Sequence, residues 1–88
     1  MERLAHLRKQ IDRVDEQILT LLRERVSISE EIGKVKAENG LPIRDEQRER
    51  EVLDRVASEA EVKGIDPEIA RRIFREIIEL SVEAQKRT

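Results

Sequence analysis

The stretch Leu4–Lys36, LAHLRKQIDRVDEQILTLLRERVSISEEIGKVK, decides the architecture. Apolar residues recur at Leu4, Leu7, Ile11, Val14, Ile18 and Leu21, then at Ile28, Ile32 and Val35, in alternating steps of three and four if Arg25 is counted in the series. No Pro or Gly interrupts the run before Gly33. The spacing therefore predicts one helix, a rod of roughly 50 Å at ~1.5 Å per residue. A compact monomer of this length has a radius of gyration near ~12 Å and is only about 30 Å across. One copy cannot cover its own stripe, so the seam is expected to be buried against a second copy. Arg25 falls in that seam, where a guanidinium needs an anion or a strong polar partner.

The rest of the composition fits a helical assembly. Eighty-eight residues make one domain, 1–88, small enough that oligomerisation is a common route to more buried apolar area. With 38% hydrophobic and 43% charged residues and Phe74 as the only aromatic, the core must be aliphatic and the outer faces salt-bridged. The 18 basic and 20 acidic residues are mixed along the chain, without a basic block, which argues against nucleic acid as a partner. There is no Cys, hence no disulfide, thiolate chemistry or Cys-based zinc site. The first residues lack the apolar run of a signal peptide and no segment is long enough to span a membrane, so a soluble cytoplasmic protein is expected.

Beyond the long stretch, Asn39 and Gly40 offer a left-handed stop and Pro42 cannot continue the helix. A second helix is expected from about Asp45 to Lys63, with Val52, Leu53, Val56 and Ala60 on its apolar face and Gly64 after it. Asp66-Pro67-Glu68 is a strong start signal: an N-cap acid, Pro at the first helical position and an acid in the first turn. A third helix follows, with Ala70, Ile73, Phe74, Ile77 and Ile78 on one face. No strand pattern or repeat appears. The fold class is all-α: three helices per chain over about 3–38, 45–63 and 67–86, one long and two shorter.

The residues that carry functional information are those lying on an apolar stripe without being apolar. On the third helix the buried face continues to Ser81 and Gln85, four apart and so stacked. On the second it runs back to Glu49, with Asp45 and Arg48 beside it. On the first, Arg25 and Lys36 are eleven residues apart (36 − 25), three turns plus about 20°, so they project the same way roughly 16 Å apart. Arg8 lies 17 residues before Arg25 (25 − 8), about 25 Å away and rotated by roughly 260°. It can join such a site only in a partner subunit.

Each of these residues also has an ordinary explanation. A seam Arg can set register or snorkel, Lys36 suits a helix C-terminus, Ser81 can be a small packing residue, Gln85 a solvated one, and Arg48 and Glu49 exposed first-turn charges. His6, the only histidine, reads as a surface residue without a second ligand. The coincidence is what argues for function: three helices each place polar groups at one end of an otherwise aliphatic face. There is no Ser, His and acid constellation, no Gly-rich phosphate loop and no acid pair backed by histidine. Cations facing a few neutral or acidic hydrogen-bonding groups suit a small substrate with two carboxylates, and a reaction driven by positioning and electrostatics without a nucleophile.

Over essentially its whole length the chain resembles the all-helical chorismate mutases. The matching set is Arg8; Arg25 followed by Gly33-Lys34-Val35-Lys36; Pro42-Ile43-Arg44-Asp45 with Arg48 and Glu49; and Ser81 with Gln85. Individually these are weak, whereas the ordered set with its spacing is specific. The resemblance implies an intertwined homodimer with two equivalent active sites, and an intramolecular Claisen rearrangement of chorismate to prephenate on the way to phenylalanine and tyrosine. It implies that Arg25 and the partner's Arg8 bind the substrate carboxylates, that Lys36 and Gln85 donate to the ether oxygen, and that Glu49, helped by the backbone around Asp45, accepts the ring hydroxyl proton. Ser81 would contact the ring carboxylate and Arg48 would touch substrate or support Asp45 and Glu49. No metal or organic cofactor is called for. Two rivals remain open: an isochorismate-pyruvate lyase, against which Glu49 argues, and a non-catalytic helical dimerisation module.

Overall fold

The computed structural model describes residues 1–87, which form three helices: α1 (Glu2–Glu38), α2 (Glu46–Val62) and α3 (Pro67–Lys86). Local sequence chemistry explains each boundary. Asp45 caps α2 by accepting from the Arg48 amide at 3.0 Å, and Asp66 caps α3 by accepting from Glu68 and Ile69, with Pro67 at the first helical position. α1 and α2 end in the same way. Gly40 at φ +65° donates to the Ala37 carbonyl while Leu41 donates to that of Lys36, and Gly64 at φ +72° donates to Glu61 while Ile65 donates to Ala60. Both are paired closures on a left-handed glycine. Asn39, expected as an alternative left-handed residue, is not one: its φ is −107° and its side-chain Nδ2 instead donates to the Val35 carbonyl at 2.8 Å.

α3 is the central element. It packs on α1 and on α2, whereas among the described residues α1 and α2 do not pack on one another. Arg25 and Lys36 of α1 reach Ser81 and Gln85 of α3, so these two helices run in the same direction. The pairing of Arg71 on α3 with Asp54 on α2 and of Arg44 with Glu79 sets α2 antiparallel to α3. The core is aliphatic, built from Val52, Val56 and Ala60 of α2 with Ala70, Ile78 and Val82 of α3, and Ile43, Leu53 and Phe74 at its edge.

Ile73, expected on the inner face, is instead exposed. It lies on one line with Ile69 and Leu80, at helical steps of four and seven, which points it away from the Ala70, Phe74 and Ile78 line that meets α2. Ala57 and Val82, not among the expected core positions, are buried.

The molecule is far from compact. It measures 57 × 25 × 14 Å with a radius of gyration of 16.2 Å, well above the ~12 Å of a globular chain this size. The excess is α1, whose residues from Glu2 to Leu21 are all exposed, including Leu4, Leu7, Ile11, Val14 and Ile18. The buried residues of α1 are Val26, Ser29 and Gly33, rotated by about a third of a turn from the Ile28, Ile32 and Val35 line. Two faces therefore coexist on this half of α1, a small-residue face seated on α3 and an apolar face left open. No helix is long and apolar enough to cross a membrane.

Candidate active site

Arg25 and Lys36 lie on the border between those two faces of α1, which aims both at the space beside α3. Here the three helices enclose a cavity of about 330 Å³. α1 contributes Arg25, Ser29 and Lys36, the start of α2 contributes Asp45, Arg48 and Glu49, and α3 contributes Ser81 and Gln85. Ile28, Ile32, Ile43, Val52, Ile78 and Val82 form its apolar walls. The size and the mixture of apolar wall with a few convergent polar groups are those of a small-molecule site.

The cations are held from behind. Arg25 donates from Nη1 to Ser81 Oγ, joining α1 to α3 at one end of the cavity. Lys36 donates from Nζ to the Ile43 carbonyl at 2.5 Å and to Gln85 Oε1 at 2.7 Å. The closing turn of α1 makes this possible: the Lys36 carbonyl receives the Leu41 amide, and the chain then folds back so that Ile43 meets the lysine's own ammonium. Because Gln85 accepts through Oε1, Nε2 is the donor end of its amide.

Burial lowers the pKa of Arg25 from its ordinary value, and the guanidinium groups of Arg55 and Arg48 lower it further. A half-buried cation beside two like charges is a seat for an anion, which would relieve both costs. On the opposite side, Glu49 is mostly covered, and its ion-pair partner among the described residues is Arg44 at 3.6 Å. Asp45 lines the cavity while its Oδ1 accepts from the Arg48 amide to cap α2.

Seven of the eight residues singled out from sequence thus meet around one cavity: Arg25, Lys36, Asp45, Arg48, Glu49, Ser81 and Gln85. Arg8 does not. It is exposed on the free half of α1, within one chain remote from the cavity. Sequence reasoning passed over Ser29, one turn after Arg25 on the same side of α1, and Arg55, two turns after Arg48 on α2; the i to i+4 and i to i+7 spacings were the available signals. Among the described residues no cluster of His, Cys, Asp and Glu suits a metal ion.

A family model for chorismate mutase type II matches residues 7–86. The chain belongs to that family. The chorismate mutase of Methanocaldococcus jannaschii is 36% identical over 86 residues, an alignment that spans 98% of this chain and 87% of that one. A solved chorismate mutase (Form II) from Thermus thermophilus superposes with a TM-score of 0.91 at 38% identity, covering 98% of this chain and 97% of the other. The bifunctional chorismate mutase/prephenate dehydratase of Aquifex aeolicus is 40% identical over 90 residues, and there the alignment takes up 99% of this chain but only 25% of the relative's length. In the Aquifex aeolicus relative the matching stretch is therefore part of a longer protein.

Proposed function

We propose that the chain is a chorismate mutase that works as an intertwined homodimer, converting chorismate to prephenate by an intramolecular rearrangement that supplies phenylalanine and tyrosine synthesis in the cytoplasm. The observation that carries the reading is the convergence of Arg25, Lys36 and Arg48 with Glu49, Ser81 and Gln85 on one small, otherwise aliphatic cavity. Chorismate is a dianion whose two carboxylates must be brought onto one folded conformer. Arg25, beside Ser81, binds one carboxylate, Arg8 of the partner subunit binds the other, and Arg48 reinforces the cationic side. Lys36 and Gln85 donate to the ether oxygen, where negative charge grows as the C–O bond breaks. Glu49, with the backbone around Asp45, accepts from the ring hydroxyl and fixes the ring's orientation.

No nucleophile, metal or cofactor enters this scheme. A millionfold acceleration needs only about 8 kcal/mol of differential stabilisation. Selection of the folded conformer and a few charge-assisted hydrogen bonds away from water are of that order.

The two-chain assembly is supported by the open apolar face of α1. Leu4, Leu7, Ile11, Val14, Ile18 and Leu21 stay exposed in one chain, and each such side chain contributes up to about 1.5–3 kcal/mol when fully covered. A patch this long is not left to water by a stable soluble helix. It also runs into the cavity, because Ile28 and Ile32 belong to it and line the site. A copy that covers the patch would therefore close the cavity and bring an Arg8 to it. The deciding assay follows the loss of chorismate absorbance and identifies the product. Prephenate is expected; an inert substrate, or salicylate and pyruvate from isochorismate without prephenate from chorismate, overturns the reading.

A further inference from the structure

Arg44 lies outside the cavity, yet its guanidinium touches two helices at once. Nη1 stands 3.6 Å from Glu49 Oε1 on α2 and 3.0 Å from Glu79 Oε1 on α3, and Nη2 is bonded to the same Glu79 oxygen. Its neighbours in the connector are equally engaged: the Ile43 carbonyl holds the Lys36 ammonium, and Asp45 caps α2. Three consecutive residues thus tie the connector to all three helices. Glu49 faces a cavity that also holds Arg25, Lys36 and Arg48, but its ion pair is with Arg44 on the outside.

We propose that Arg44, anchored by Glu79, is a positioning residue that holds the Glu49 carboxylate at the rim of the cavity and so keeps the cationic seat free for the substrate's carboxylates. The inference rests on the reading of Glu49 as the acceptor for the ring hydroxyl. Its physical basis is competition. A flexible carboxylate next to several cations swings to the strongest field it can reach. If Glu49 turned inward it would occupy the anion seat and vacate the hydroxyl position. Arg44 offers the same charge from the opposite side, and Glu79 keeps the arginine from following Glu49 or drifting into solvent. Both Arg44 and Glu79 are about half exposed, at 42% and 52%, so their pair adds little to folding stability. An effect on activity with little effect on melting is therefore the mark of positioning.

The test is a double-mutant cycle in the intact dimer, with Arg44→Ala, Glu49→Gln and both, measured as kcat and KM for chorismate. Arg44→Ala is expected to lower kcat/KM about tenfold, mostly through a higher KM, without changing the melting temperature or the assembly. In the Glu49→Gln background the same substitution should cost less than about twofold, because no carboxylate remains to be held. Glu79→Gln, which touches nothing in the cavity, should cost about threefold in the native background and nothing with Glu49→Gln present. Equal losses in the two backgrounds, or no loss from Arg44→Ala, overturn the positioning role. Full activity of Glu49→Gln by itself overturns the prior assignment of Glu49, an outcome distinct from the first.

Discussion

The two halves of α1 carry the same apolar rhythm and end in opposite surroundings. From Leu22 to Lys36 the helix sits on α3, buries Val26, Ser29 and Gly33, and offers Arg25 and Lys36 to the cavity. From Glu2 to Leu21 it stands free, with Leu4, Leu7, Ile11, Val14 and Ile18 in the open. The period of a hydrophobic pattern reports that a face is buried, and says nothing of what buries it. In the C-terminal half the intrachain contact uses small residues on a different face, and the apolar face with Ile28, Ile32 and Val35 remains exposed there too. One continuous stripe thus stays exposed along the whole rod, while the cavity is built on the border where the stripe meets the intrachain contact.

This contrast can be broken from either half. Arg25→Ala should reduce kcat/KM by at least three orders of magnitude, as loss of a charged group acting in the transition state does, while the oligomer and its helicity persist. Ile11→Asp should also abolish activity, but by dispersing the assembly, visible as a fall in mass by light scattering and loss of helical circular dichroism. If Ile11→Asp leaves a folded, active dimer, the free half of α1 does not form the interface.

A smaller effect tests the role proposed for Gln85 beside Lys36 at the ether oxygen. An amide donates a hydrogen bond without titrating, so turnover of the native protein should be nearly flat from mildly acidic to mildly basic pH. In Gln85→Glu the introduced carboxyl donates only below its own pKa, where it is protonated. Activity is therefore highest in acid and falls as pH rises through that pKa. Equal rates at pH 5 and pH 8 would remove Gln85 from this role.

Gly40→Ala should have the mildest effect. A methyl group at Gly40 meets nothing within 4 Å, so its cost is the backbone conformation alone, about 1 kcal/mol for a left-handed residue. A modest drop in melting temperature, with a small loss of kcat from a less firmly closed Lys36 turn, is expected from calorimetry and steady-state kinetics.

Much of this was legible in the sequence where one residue type carries one physical meaning. The Asp66-Pro67 start and the glycines after α1 and α2 announce their boundaries, and polar side chains on apolar stripes announce Arg25, Lys36, Glu49, Ser81 and Gln85. Three features were hidden because they depend on relations between helices. Ser29 and Gly33 are too small to register as an apolar face, yet their size is what brings α1 onto α3. Ile73 reads as core by type but points outward once α3 is turned to serve α1 and α2 together. The Arg44 bridge joins residues 35 apart in sequence (79 − 44), which no helical spacing reveals.

Mixing subunits tests directly whether one site draws on two chains. Arg8→Ala and Arg25→Ala homodimers should each be nearly inactive. After subunit exchange, half of the dimers are mixed; in these, one of the two sites holds both lesions and the other neither, so activity should return to about a quarter of the native level. Mixed dimers, verified by mass, that stay as inactive as the parents would contradict a site shared between subunits.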